Sequence, residues 1–194
     1  MIINVPYQKQ KYSTSCLPAA IKMVMHYFGV FVDEKILLKK GTISGHKGTW
    51  DAKLAPYIIK KGFCFESYWK GSAANQAVPH VQKAYIRAMA TAKKVGWRYC
   101  GSGKIAKAKQ FLAKKIPVIA ELNAGLLYKK KYEWTHVIVL TGFNKNGFYY
   151  LDSYAPAKKP RKISFARFAR CWECNADCQN SMMVIYPRIK RQSH

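Results

Sequence analysis

Apolar residues recur at Ala19, Ala20, Met23, Val24, Tyr27 and Phe28, the spacing of one helix face, and Gly29 ends the run. Ser13, Thr14 and Ser15 precede it as competent N-caps, and Pro18 suits a first helical turn. The pattern predicts a buried helix that opens at Cys16. Ahead of it, residues 1–7 read as a short strand leading into a polar loop. A second short helix is predicted over 33–39. After a glycine-rich loop (GTISGHKGT), a third is predicted over 50–61, with Pro56 inside it and Gly62 as its stop. Residues 63–69 read as a strand and GSAANQAVP as a linker. Residues 80–95 form a basic helix with apolar positions at Val81, Ala84, Tyr85, Ala88 and Met89, and 104–115 another helix.

Beyond residue 115 the pattern changes. PVIAEL, residues 137–142, FYYLDS and MMVIYP are short apolar strands. Asn146-Gly147 joins two of them as a hairpin signal. Residues 165–172 form a short helix or turn before the last strand. Helices that come first and antiparallel strands that come later make an α+β fold.

Composition narrows the class. At 194 residues one domain is the default, and 49% hydrophobic residues suffice for a core. No run of about 18 apolar residues predicts a membrane span. The first apolar segment carries Lys22 and His26, unlike a secretory signal. Six cysteines do not suggest a disulfide scaffold, so a reducing, cytoplasmic setting is the simplest expectation. Release in a virus particle, or delivery by a non-classical route, is compatible with the same features.

The net charge of +25 is unevenly spread. Between Glu66 and Glu121 there is no acid but eleven lysines and arginines. Between Asp152 and Glu173 lie Lys158, Lys159, Arg161, Lys162, Arg167 and Arg170. Such fields attract polyanions, nucleic acid among them, whereas sequence-specific reading of bases is not indicated.

Candidate chemistry centres on Cys16. A thiol at a helix N-terminus lies where the dipole and first-turn N–H groups favour a thiolate. Gln10, just upstream, offers an amide that can donate to a developing oxyanion, and Gln8 is its rival. Among the histidines, His26 lies on the same helix, roughly 15 Å along at 1.5 Å per residue, and cannot reach. His46 sits in the glycine loop, His80 starts the basic helix and His194 is terminal. His136 immediately precedes an apolar strand. Asp152 follows the partner strand, so the hairpin brings its carboxylate toward the imidazole, where it would orient the ring and stabilise its protonated form.

The order Q-x5-C-x-P-A-A, a run ending in YFG, a GT loop, PVIAEL, HVIVLTGF, an NG turn and YYLDS resembles the C39-type papain-like cysteine peptidases. The resemblance spans roughly residues 3–187 and is weakest over 70–103, where the basic helix reads as an insertion. It implies a papain-like fold, with N-terminal helices packed on a C-terminal antiparallel sheet. It also implies Cys16 as nucleophile, His136 as base, Asp152 as orienting acid, Gln10 as oxyanion donor, a peptide or protein substrate and no cofactor. The best-known members are domains of bacterial peptide exporters and cut leader peptides after a double glycine. This sequence shows no transporter domain, and Leu17 stands where the family usually has glycine. The implied chemistry therefore transfers better than the substrate. An acyltransferase or deamidase would use the same residues, and a nucleic-acid-binding protein on an inactive scaffold is the reading from another class.

Cys171, Cys174 and Cys178 form C-x2-C-x3-C without an obvious fourth metal ligand, so unlinked thiols are expected there over a zinc site or a disulfide. Cys64 reads as a small buried hydrophobe and Cys100 as a thiol in a glycine-rich turn without a partner.

Overall fold

The chain is seen here in a computed structural model that describes residues 2–44, 48–71, 78–155, 158–174 and 179–188. The linker residues 72–77, His46, Cys178 and His194 lie outside the described residues. The first predicted helix is α1 (Cys16–Tyr27). Its Ala19, Ala20, Ile21, Met23, Val24 and Met25 are all buried, so it runs through the core rather than lying across it. α2 (Glu34–Gly41) starts at Asp33, whose carboxylate accepts from the N–H groups of Lys35 and Ile36, an N-cap arrangement. α3 (Asp51–Lys60) tolerates Pro56 within its length.

β1 (Phe63–Lys70) leads to α4 (Pro79–Lys94), the basic helix, which packs on α3. β2 (Arg98–Tyr99), α5 (Ile105–Ala113), β3 (Val118–Asn123) and the short α6 (Ala124–Tyr128) follow. The predicted hairpin is β4 (Thr135–Phe143) with β5 (Gly147–Leu151). β6 (Arg161–Ser164), α7 (Phe165–Glu173) and β7 (Gln179–Pro187) complete the described elements. β2, α6 and β6 carry no pattern in the sequence long enough to predict them.

All seven strands form one sheet in the order β2-β1-β7-β3-β4-β5-β6. Every neighbouring pair is antiparallel except β1 with β2. The chain's last described strand is therefore inserted at the middle of the sheet. That placement explains why Met182, Met183, Val184 and Ile185 are all buried, a continuous rather than alternating apolar run.

Two local expectations are corrected. Residues 2–7 do not form a regular strand. Ile2 makes an isolated bridge to Gly142, and the Ile3 N–H donates to the Thr141 carbonyl at 2.6 Å. β4 already pairs with β3 and β5, and only its bulge between Leu140 and Gly142 leaves groups for a third partner. The hairpin turn also differs from the one Asn146-Gly147 suggests, because neither residue has a positive φ. Instead the Asn144 side chain accepts from the N–H groups of Asn146 and Gly147, at 2.9 and 3.1 Å. Gly147 serves another end: a Cβ there would stand 2.0 Å from the Ile163 carbonyl oxygen of β6.

Candidate active site

Cys16 is the first residue of α1 and is partly exposed. Ser15 occupies the N-cap position, yet its side chain makes no capping bond. Its buried hydroxyl donates to Glu34 Oε1 at 2.6 Å and accepts from the Tyr12 N–H at 3.1 Å. The Lys11 N–H donates to the same Glu34 oxygen at 2.8 Å. Glu34, itself buried at the start of α2, thus ties down the loop that delivers Cys16. Of the three N-cap candidates in the sequence, Ser15 takes the position but makes no capping bond. Its hydroxyl is spent on Glu34, so no side-chain cap competes for the first-turn donors beside the thiol.

His136 lies on β4 opposite Leu122 of β3, and Val139, further along the same strand, pairs with Leu151 of β5. Asp152 follows Leu151 directly, which sets its carboxylate diagonal to the imidazole. His136 Nε2 lies 2.9 Å from Asp152 Oδ1. With Nε2 turned to the carboxylate, Nδ1 is the ring nitrogen that Asp152 does not engage, and Cys16 lies near enough to influence the ring. Burial alone would push the His136 pKa down. The hydrogen bond to Asp152, and the hydrogen bond and charge of Cys16, outweigh it and hold the pKa at about 9.

Asp152 is almost fully buried, and burial by itself would raise its pKa. The bond and charge of His136 prevail, helped by the Tyr128 hydroxyl and the Tyr154 N–H, and the carboxyl is held below its ordinary value. Tyr128 donates to Oδ2 at 2.7 Å and the Tyr154 N–H to Oδ1 at 3.0 Å. Arg161 Nη1 approaches Oδ2 at 3.5 Å. Tyr128 and Tyr154 also stand 5.9 and 6.2 Å from the imidazole, ring centre to ring centre. Burial first, and the Asp152 carboxylate second, push the Tyr128 hydroxyl pKa up, so it remains a donor. Sequence reasoning missed Tyr128, Tyr154, Arg161 and Glu34. Only Arg161 carried a signal there, as part of a basic stretch.

Gln10 is fixed from both sides. Its N–H donates to the Ser153 carbonyl, and its side-chain oxygen accepts from the Ser153 hydroxyl at 3.0 Å. Its Nε2 donates to the Tyr12 carbonyl at 3.0 Å and to that of Ser13 at 3.4 Å. The glutamine therefore bridges the loop before Cys16 and the loop after Asp152. Gln8 has a different partner, His26 Nδ1 at 3.5 Å, and His26 packs against Phe31.

A cleft of about 360 Å³ opens beside the thiol. Leu17, Trp50, Trp69, Trp134 and Glu121 are among its walls. Of the remaining thiols, Cys171 is buried, Cys174 exposed and Cys64 only half-buried, so Cys64 is not the interior hydrophobe expected. Cys100 has a partner after all: its sulfur lies 3.9 Å from Glu66 Oε2. No three metal-ligating side chains come together among the described residues. No helix among them is long and apolar enough to cross a membrane.

Three solved structures share this fold at low sequence identity. A C39-like peptidase from Bacillus anthracis aligns with a TM-score of 0.64 at 14% identity, over 97% of this chain and 98% of its own. The peptidase domain of Streptococcus ComA, a bifunctional ABC transporter of a quorum-sensing pathway, gives 0.58 at 15%, over 95% and 100%. A double glycine motif protease from an AMS/PCAT transporter, in complex with its leader peptide, gives 0.56 at 17%, over 96% and 94%. No curated protein matches the sequence. The family model described as Peptidase_C39 like matches residues 2–179, and the chain belongs to that family.

Proposed function

We propose that the protein is a cysteine peptidase in which Cys16 is the nucleophile, His136 the acid–base and Asp152 the group that orients it. The observation that carries this reading is the buried His136–Asp152 hydrogen bond of 2.9 Å, on a ring whose titration Cys16 also influences. His136 takes the thiol proton and the sulfur attacks the amide carbonyl. The Cys16 backbone N–H and the Gln10 amide hold the oxyanion, the latter by exchanging its longer bond to Ser13. His136 then protonates the leaving amine, and a water activated by the same ring hydrolyses the thioester.

The substrate in this proposal is a peptide or protein segment laid along the cleft. The leader peptide held by the transporter protease supports a peptide ligand, but Leu17 lines the wall where a glycine would leave a narrow slot. Double-glycine selectivity is accordingly not carried over. The net charge of +25 favours a substrate that is acidic or associated with a polyanion.

Labelling with a thiol-directed peptide electrophile tests the chemistry. Cys16→Ala is expected to abolish labelling, and His136→Ala to slow it at least about 100-fold, the usual worth of a positioned base. Labelling unchanged in either variant overturns the assignment.

A further inference from the structure

One cluster of positive charge lines a groove in the fold. A groove of about 600 Å³ runs between α6 and α7, and Lys129, Lys130, Arg167 and Arg170 line it together with the Ser164 end of α7. No acidic residue lines it; Glu133 and Glu173 lie nearby in sequence but outside its walls. All four cationic residues are exposed. Arg167 is held in place: its Nη2 donates to the Leu127 carbonyl of α6 at 2.8 Å, which ties the two helices across the groove. Exposed Lys158, Lys159, Arg161 and Lys162 extend the charge along the neighbouring edge strand β6.

An aromatic stack runs from the active-site cleft, whose wall includes Trp134, out to Tyr132, whose backbone touches the groove residue Gly125. Gly125 packs so closely on the Tyr132 backbone that a Cβ would lie 2.4 Å from the Tyr132 carbonyl oxygen. Tyr132 is 67% exposed. It stacks on Trp134 at 4.9 Å, and Trp134 stacks on Tyr128 at 5.7 Å. The stack thus ends in an exposed tyrosine and is anchored at its inner end by the Tyr128–Asp152 bond.

Cations alone fit any polyanion. Cations flanked by an exposed tyrosine fit one whose flat bases are free to stack. We propose that the α6–α7 groove holds the backbone phosphates of single-stranded nucleic acid, with a base stacked on Tyr132. This deepens the polyanion part of the functional reading and is independent of the peptidase chemistry. An acidic polypeptide would use the same cations but make no use of the exposed tyrosine. A duplex would meet the cations with its bases buried.

Binding of a fluorescently labelled single strand of about 20 nucleotides to the full chain, followed by anisotropy across a salt series, tests this. In the variant Lys129→Gln/Lys130→Gln/Arg170→Gln the affinity is expected to fall at least tenfold. The slope of log K against log salt should shrink by about 2, since each lost contact to a single strand removes roughly 0.7. Tyr132→Ala is expected to weaken the single strand about tenfold and to leave heparin binding unchanged. Thiol labelling at Cys16 should persist in the Lys129→Gln/Lys130→Gln/Arg170→Gln variant, which separates failure here from failure of the peptidase reading. Three results would overturn the proposal. One is an equal loss from Lys83→Gln/Arg87→Gln/Lys93→Gln on α4. Another is a duplex or polyglutamate bound as tightly as the single strand. The third is a Tyr132→Ala variant with unaltered affinity.

Discussion

Four groups converge on Asp152: the His136 ring, the Tyr128 hydroxyl, the Tyr154 N–H and, at longer range, Arg161. All four donate to the carboxylate, and an amide NH2 in its place would meet some of these donors badly. Asp152→Asn is therefore expected to weaken the hold on His136 as well as remove a charge. The carboxylate is the main influence that holds the His136 pKa at about 9 against burial. Without it, the alkaline limb of kcat/KM, which reports the free enzyme, should move down from near 9 toward the unperturbed value of about 6.5. A pH–rate profile of the variant on a peptide substrate checks this; an unmoved limb would assign the limb to another group. The same two groups bear on stability, with opposite signs. His136 has a raised folded pKa, so its contribution is complete below about pH 6.5 and is lost as pH rises through 9. Asp152 has a depressed one, so its contribution is present above about pH 4 and is lost as pH falls through its folded value. Asp51 is buried and raised, mainly by desolvation, and costs stability once pH passes its unfolded value.

At the scale of elements, the hairpin β4–β5 and its outer partner β6 set the distance from His136 to Asp152 and Arg161. Their spacing depends on Gly147. A side chain there would enter the Ile163 backbone, which cannot swing aside as a flexible side chain would. Gly147→Ala is expected to cost about 3 kcal/mol, the upper part of the overpacking range. For a chain of this size that is a fall in Tm of roughly 10 °C. Thermal unfolding followed by circular dichroism reads it, and an unchanged Tm would mean that β6 is free to move out. The hairpin was legible from alternating apolar residues and a turn dipeptide. The turn chemistry was not, because Asn144 acts through its side chain and Gly147 through an approach of β6 that no local pattern announces. Likewise α1 could be read from its spacing, but the diversion of the Ser15 hydroxyl to Glu34, nineteen residues away, could not.

Across the whole molecule, charge dominates. The described residues contain three ion pairs, two of which share Asp152, against a net charge of +25. Self-repulsion of that size opposes the compact state and is screened by salt. The Tm is expected to rise by several degrees between about 50 and 500 mM sodium chloride, measured by differential scanning fluorimetry; a fall would mean that specific pairs outweigh the repulsion. The sequence by itself determined the α+β class, the helix that begins at Cys16, the apolar strand beside His136 and the hairpin that returns Asp152 toward it. Each of these follows from local periodicity or from short-range turn signals. Tertiary structure alone decided that β7 enters the middle of the sheet, that Tyr128 and Tyr154 enclose the His136–Asp152 pair, and that Glu34 anchors the loop before Cys16. It also decided that Tyr132 stands beside a cationic groove. Those are contacts between residues far apart in the chain, and their geometry exists only once the sheet has closed around its core.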